Sequence, residues 1–327
     1  MRSTIKQVYI YVVLALIVVV FSLAKVNEVG LFGRGAFLSP DSIINLLRTT
    51  VPILILSGAF TLLMISGYID LSVGSGMSLT AVVFSWMLLN GFSFLPAILL
   101  TLLLGIGMGA LNGWTVMKLR ITPVIATLVT LNLFKGMALL IVPDGTSAIK
   151  TTAVQKMPGW INDFARKEVL GGLPWAFYLG LLVIAILVVT QRKTILGKYA
   201  TAIGGNRVAA ELSGINAVRW VWLLYIIVGV CTALAGVARA SYMSLGDPLS
   251  GDGMETNCLI AVLLGGTAFA GGEGSVAKTI IGALIIMCVT IGLMTVIPAY
   301  WQTFAKGTVL LVAVTLNHLL VREKVTA

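Results

Sequence analysis

The sequence predicts an all-α, polytopic membrane protein, and its composition and charge spacing are the observations that predict this class. Of its 327 residues, 58% are hydrophobic and only 10% are charged. The hydrophobic fraction is larger than a water-soluble domain needs to form its core. No charged residue lies between Arg48 and Asp70 or between Asp70 and Lys118. At about 1.5 Å per helical residue, the second run is too long for one bilayer crossing. We therefore expect two helices there, with the turn at Asn90-Gly91.

The same argument along the chain predicts about ten membrane-spanning helices in one domain, 1–327. The first segment lacks a small-residue cleavage site and is followed by further apolar segments, so it is predicted to be a helix and not a cleaved signal peptide. A cytoplasmic loop at about 193–219 and an outer loop at about 144–172 are the longest connections. The predicted spans are 8–26, 46–66, 71–89, 95–117, 123–142, 173–191, 220–239, 256–270, 276–296 and 300–320.

The orientation is predicted from the excess of Lys and Arg in short cytoplasmic loops. With the N-terminus inside, the cytoplasmic ends hold most of the basic residues, and an even number of spans places both termini in the cytoplasm. Loop 144–172, which mixes both signs, is then periplasmic, with Trp160 and Phe164 toward the membrane surface. The net charge of +10 follows from this bias and from contact with anionic lipid, so no nucleic-acid partner is predicted.

The sequence shows no pattern for catalysis, metal binding or ATP hydrolysis. Cys231, Cys258 and Cys288 fall in predicted spans without metal-ligand spacing and are expected to be packing residues. His318, the only histidine, lies near the end of the last predicted span without a carboxylate or cysteine nearby in sequence. No phosphate-binding loop, nucleophile elbow or zinc-protease helix is present. We expect a chain that is not an enzyme and holds no cofactor.

The predicted cytoplasmic loop 193–219 contains a short helix that begins after Asn206 and ends at Gly214. Asn206 is a favoured N-cap, and glycine is the commonest residue just past a helix end. Small residues such as Ala209 and Ala210 would let this helix lie in a groove of a partner protein. A basic loop resting on lipid headgroups explains the composition equally well, and the residues alone do not decide between the two.

Polar residues and glycines near the predicted spans are candidates for the translocation path. Asp70 is the only acidic residue between Asp41 and Asp144, and it either lines the path or caps the helix that follows it. Gly265-Gly266 marks a broken or re-entrant segment, although glycine also permits close helix packing. Lys135 and Lys306 either extend to the headgroups or line the outer mouth. The candidates are Asp70, Ser72, Asn112, Thr127, Asn132, Lys135, Asn257, Gly265 and Gly266.

Four segments carry patterns of a known family. They are Ser66-Gly67-Tyr68-Ile69-Asp70-Leu71-Ser72-Val73-Gly74-Ser75; Asn112-Gly113 with Ile121-Thr122-Pro123-x-Ile125-Ala126-Thr127-Leu128 and Lys135-Gly136; Ala209-Ala210-x-x-x-Gly214; and Leu264-Gly265-Gly266-Thr267 with Gly271-Gly272-x-Gly274-Ser275. In this order they resemble the permease subunits of ATP-binding-cassette sugar importers of the ribose, xylose, arabinose and galactose type. The resemblance covers roughly residues 45–320. Tyr68 replaces a glycine of the family pattern, Val208 a glutamate, and Asn257 an aspartate.

The resemblance implies an alternating-access importer and its partners. Two permeases, identical or related, would line one path, and a periplasmic sugar-binding protein would deliver the sugar. A cytoplasmic ATPase would bind ATP and Mg and drive transport by hydrolysis. The residues implied to contact the ATPase are Asn206, Arg207, Ala209, Ala210, Glu211, Ser213 and Gly214. An ion-coupled secondary transporter is the alternative from another class, but it usually carries carboxylates inside its spans. Within the same class, a nucleoside or amino acid is the alternative cargo.

Overall fold

The structure is a computed structural model that describes residues 2–24, 37–142, 149–150 and 173–296, with the separate positions 301, 304, 307, 308, 311 and 315. The described part is almost entirely helical, as predicted. Its helices are α1 (Arg2–Ala24), α2 (Pro40–Ile65), α3 (Val73–Leu89), α4 (Phe94–Met117), α5 (Pro123–Ile141), α6 (Trp175–Lys193), α7 (Ile195–Gly205), α8 (Arg207–Leu212), α9 (Ala217–Met243), α10 (Met254–Leu264) and α11 (Val276–Val296). Strands β1 (Ile149–Lys150) and β2 (Leu245–Gly246) form a short antiparallel pair.

Within the described residues, six helices are long and apolar enough to cross a membrane: α2, α4, α5, α6, α9 and α11. The chain is therefore a multi-pass membrane protein. The predicted turn at Asn90-Gly91 is confirmed, since Asn90 caps α3 and Gly91 has a φ of 86°. The predicted loop 144–172, apart from β1, and the predicted helix 300–320, apart from the separate positions, lie outside the described residues.

The predicted span 256–270 requires a correction. Helix α10 is only 11 residues long and ends at Leu264, too short to cross a bilayer. The chain turns at Gly265 and Gly266 because Gly266 has a φ of 80°, a left-handed backbone conformation that ends a right-handed helix. Residues 265–275 then form a connection to α11, in agreement with the predicted break at these glycines.

Connections between helices gather at two ends of the bundle. One end, here named the basic end, consists of residues 66–72, 118–122, 194–216 and 265–275. There the amide of Gly272 donates a 2.7 Å hydrogen bond to the carbonyl oxygen of Ile65, and a side chain at Gly204 would collide with the same carbonyl. At the opposite end the Phe21 and Phe37 rings lie 5.8 Å apart, and β1 pairs with β2.

Close backbone contact joins α4 to α9 in the middle of the bundle. Gly105 faces the backbone of Gly229, and Gly109 faces the backbone of Tyr225, so that a side chain at either α4 glycine would overlap the partner helix. Glycines four residues apart lie on one face of a helix and permit such contact within a membrane. This crossing fixes the position of Asn112, one helical turn further along α4.

Candidate functional site

The connection between α2 and α3 brings three of the predicted path residues together. Gly67, with a φ of 84°, turns the chain out of α2. Asp70 and Ser72 follow in the connection, and α3 begins at Val73. Asn112 reaches this connection from α4. Asp70, Ser72 and Asn112 are here named the Asp70 cluster.

Both carboxylate oxygens of Asp70 accept hydrogen bonds from the other two residues of the cluster. Oδ1 accepts from the backbone amide of Ser72 at 2.9 Å and from its hydroxyl at 2.6 Å. Oδ2 accepts from Nδ2 of Asn112 at 3.0 Å, and the same Nδ2 lies 2.8 Å from Oγ of Ser72. Asp70 therefore binds the backbone at Ser72, the residue immediately before α3. It also links α4 to the α2–α3 connection.

The cluster is almost completely enclosed. Asp70 is 3% exposed and Asn112 is 1% exposed. Burial raises the pKa of Asp70 above its ordinary value, and the hydrogen bonds from Ser72 and Asn112 act in the opposite direction. The adjoining void measures only about 10 Å³, close to the space of one water and far below that of a sugar.

Asn112 also carries an unused hydrogen-bonding group. Among the described residues, its Oδ1 has no hydrogen-bond partner although it is buried. Such a group is costly unless a water or a moving side chain serves it. The amide therefore has a free acceptor directed into the interior of the bundle.

The candidates on α5 do not join the cluster. Thr127 is buried and its hydroxyl donates to the carbonyl of Pro123 in the same helix. Asn132 is exposed and donates to the carbonyl of Leu128. Lys135 forms an ion pair with Asp252 at 2.7 Å, so its charge meets a carboxylate of the loop before α10. No signal in the sequence indicated this pairing, because the two residues are 117 positions apart in the chain.

The candidates on α10 and after it lie in another part of the bundle. Asn257 is half-buried, and its Oδ1 has no hydrogen-bond partner among the described residues. Gly265 lies against the backbone of Thr279 on α11, which supports the close-packing interpretation of this glycine. Gly266 provides the turn.

The short helix α8 has the predicted beginning and end. The side chain of Asn206 accepts a 3.0 Å hydrogen bond from the amide of Ala209, which confirms the N-cap. At the other end Gly214 has a φ of 83°. The amide of Gly214 bonds to the carbonyl of Glu211, and that of Ile215 bonds to the carbonyl of Ala210, which is the Schellman arrangement.

One residue predicted to contact a partner through α8 faces the other way. Ala210 is only 5% exposed and packs in the hydrophobic core of its own chain. This corrects the expectation that Ala209 and Ala210 both present small contact surfaces, since consecutive helical residues point about 100° apart. The exposed face of α8 carries Ala209 and two apolar side chains, Val208 and Leu212, which are 66% and 85% exposed.

Helix α8 is also tied to the connection that holds Asp70. Nη1 of Arg207 donates to the hydroxyl of Tyr68 at 2.9 Å, and Nε donates to Glu211 at 2.9 Å. The hydrogen bond to Glu211 is the main reason that the pKa of Arg207 is raised, while burial raises the pKa of Tyr68. The hydroxyl of Tyr225 on α9 donates to the carbonyl of Ile69 in the same connection. In the sequence, the one feature that marked Tyr68 was its departure from the family pattern, and the contact between Arg207 and Tyr68 was not predicted.

Comparison with known proteins identifies the family. The family described as "Branched-chain amino acid transport system / permease component" matches residues 42–314. The chain belongs to this family of transport permeases, which confirms the resemblance seen in the four segments. No solved structure matches the chain.

Several relatives are named for sugar uptake. The ribose import permease protein RbsC of Bacillus subtilis is 34% identical over 284 residues, covering 86% of each chain. The D-allose transport system permease protein AlsC of Escherichia coli is 32% identical, covering 95% of this chain and 91% of its own. The xylose transport system permease protein XylH of Haemophilus influenzae is also 32% identical, covering 96% of both.

Proposed function

We propose that this chain is the membrane-spanning permease of an ATP-driven, binding-protein-dependent importer, and that its cargo is a pentose or hexose. The observation that carries the proposal is the similarity over nearly the whole chain to permeases named for ribose, allose and xylose. The hydroxyl, amide and carboxylate groups of the Asp70 cluster are of the kind that form hydrogen bonds with a sugar.

The charge of the two ends supports a cytoplasmic basic end in the bacterial inner membrane. Among the described residues, the connections and helix ends there carry eight basic side chains but only three acidic ones, Asp70, Glu211 and Glu273, and Asp70 is buried. Loops rich in Lys and Arg remain in the cytoplasm. This orientation would place both termini in the cytoplasm. The basic residues are Lys118, Arg120, Arg192, Lys193, Lys198, Arg207, Arg219 and Lys278.

Helix α8 is the proposed contact with the cytoplasmic ATPase. It lies at the basic end and exposes Val208, Ala209 and Leu212. Exposed apolar side chains on a capped helix are favourable when a partner covers them. The residues implied in this contact are Asn206, Arg207, Ala209, Glu211, Ser213 and Gly214, with Ala210 supporting the helix from its buried side.

The contacts from α8 to Asp70 suggest how ATPase movement reaches the path. A shift of Arg207 would act on Tyr68, two residues from Asp70 in the same connection. Movement of that connection would separate Asp70 and Ser72 from Asn112 on α4, and open the void that is now the size of one water. A second permease, identical or related, would supply the other wall of the path, and a periplasmic binding protein would supply the sugar.

Uptake by cells tests this function. A strain lacking this permease, complemented with the gene, should accumulate one of labelled ribose, xylose, allose, arabinose or galactose, and accumulation should need the ATPase subunit. A protonophore given with ATP levels maintained should not abolish uptake. Because the family description names branched-chain amino acids, labelled leucine, isoleucine and valine belong in the same panel. Uptake of an amino acid and of no sugar would overturn the proposed cargo.

A further inference from the structure

A cleft at the basic end has no residue of the Asp70 cluster or of α8 among its described lining residues. It measures about 570 Å³ and opens between the end of α4 and the beginning of α9. Its described lining residues are Gly113, Trp114, Met117, Lys118, Asn216, Val218, Arg219 and Trp222.

One wall of the cleft is fixed by the packing of α4 on α9. The ring of Trp222 lies over Gly113, where any side chain would collide with it. Nε1 of Trp222 donates a 2.9 Å hydrogen bond to the carbonyl of Ala110. The indole is therefore held against α4, and the cleft lies beside it toward the end of the bundle.

The cleft combines apolar walls with two cationic side chains. Trp114 and Trp222 are 48% and 42% exposed, although both are large and mainly apolar. Lys118 and Arg219 are exposed, and no acidic residue stands among the described residues that line the cleft. Tryptophan is enriched where a bilayer meets water, and Lys and Arg at that level attract anionic headgroups.

Exposed apolar side chains are found near the cleft on α9 and further along α4. Leu103 and Ile106 of α4 are 61% and 39% exposed, and Leu223 of α9 is 37% exposed. Helices α4 and α9 both qualify as membrane spans, so these side chains lie at the depth of lipid tails. A molecule that fits the whole surface needs an anionic head and long apolar chains.

We propose that this cleft binds an anionic phospholipid. Its phosphate would pair with Lys118 and Arg219, its glycerol region would contact Trp114 and Trp222, and its acyl chains would follow the exposed faces of α4 and α9. The inference does not depend on which solute the permease carries. A second copy of the chain seated on the same cleft is the competing occupant.

Native mass spectrometry of the purified full-length chain tests the proposal. The protein would be delipidated in detergent and titrated with phosphatidylglycerol or with phosphatidylcholine of the same acyl chains. The variant K118Q/R219Q removes both cations of the cleft. The matched control K193Q/K198Q removes two exposed cations from the same end of the bundle but outside the cleft.

We expect the wild type and K193Q/K198Q to retain phosphatidylglycerol in preference to phosphatidylcholine. K118Q/R219Q should bind phosphatidylglycerol on the order of tenfold more weakly, because two headgroup contacts are lost. Equal weakening in both variants would mean a diffuse attraction to the basic end and would overturn a specific site. A wild type that shows no headgroup preference, with dimers that K118Q/R219Q dissociates, would assign the cleft to a second copy. Gel-filtration profiles would establish that each variant remains folded.

Discussion

Arg207 of α8 and Tyr68 of the α2–α3 connection are joined by a 2.9 Å hydrogen bond between the guanidinium and the phenolic hydroxyl. Tyr68 stands two residues before Asp70, whose carboxylate binds Ser72 and Asn112. A residue on the proposed ATPase-contacting helix is therefore connected through one side chain to the most buried polar cluster of the candidate path. This relationship gives the first prediction.

Tyr68→Phe removes the hydroxyl that accepts from Arg207 and keeps the ring. Because the contact is partly exposed, we expect a stability loss of about 1 kcal/mol or less. Uptake should nevertheless fall, with the ATPase still bound, since the link from α8 to Asp70 is broken. Labelled sugar uptake and ATPase co-purification measure the two effects separately. In a double-mutant cycle, the losses of uptake caused by Tyr68→Phe and by Arg207→Gln should not add. Additive losses would contradict the link.

Asp70→Ala and Asp70→Asn should differ in stability. Alanine removes the acceptor of the buried Ser72 amide and hydroxyl and leaves Asn112 Nδ2 only Oγ of Ser72, which costs about 1–3 kcal/mol. Asparagine keeps an acceptor for Ser72, and the Asn112 amide can rotate to present its unpaired Oδ1 to the new donor. Thermal unfolding of the purified variants should therefore rank wild type close to Asp70→Asn and well above Asp70→Ala. Equal midpoints for the two variants would show that these hydrogen bonds do not stabilise the fold.

Gly109 and Gly107 on α4 form a matched pair for the α4–α9 crossing. A side chain at Gly109 would overlap the backbone of Tyr225, whereas nothing lies within 4 Å of the equivalent point at Gly107. Gly109→Ala should destabilise the protein by about 1–3 kcal/mol through overpacking. Gly107→Ala should be neutral or slightly stabilising because alanine favours helix. The same unfolding assay decides, and a loss of stability in both variants would point to a cause other than the crossing.

Substitutions on α8 should separate partner contact from folding. Leu212→Glu and Ala209→Trp alter exposed positions, so we expect normal insertion but loss of the ATPase during co-purification and a collapse of uptake. Ala210→Trp places a large ring in the chain's own core and should reduce the amount of folded permease itself. Leu249→Glu, at an exposed leucine of the opposite end, is the control and should keep the ATPase. Full ATPase retention by Leu212→Glu and Ala209→Trp would exclude α8 as the contact.

Accessibility of single cysteines tests the orientation. Cys231, Cys258 and Cys288 are buried, so the background labelling should be low. An impermeant thiol reagent should label Lys156→Cys in cells whose outer membrane is permeabilised and whose inner membrane is intact. It should label Lys198→Cys, at the basic end, only after the inner membrane is broken. The reverse pattern would invert the proposed topology.

The local features of this protein were predictable because they depend on neighbours in sequence. The helical membrane class follows from long uncharged runs, the turn at Asn90-Gly91 from glycine, and the boundaries of α8 from Asn206 and Gly214, which cap by bonding to residues a few positions away. Asp70, Ser72 and Asn112 were three of nine candidates that followed from family patterns and from the rarity of polar residues in apolar runs.

Tertiary structure alone decided which of these residues meet. Asn112 reaches Asp70 because glycines let α4 pack closely on α9, Lys135 meets Asp252 across more than 100 residues of chain, and Arg207 bonds to Tyr68. It also decided that Ala210 points inward while Ala209 points outward. The physical reason is that hydrophobicity and capping act along the chain, whereas close packing and hydrogen bonding between side chains depend on the three-dimensional placement of whole helices.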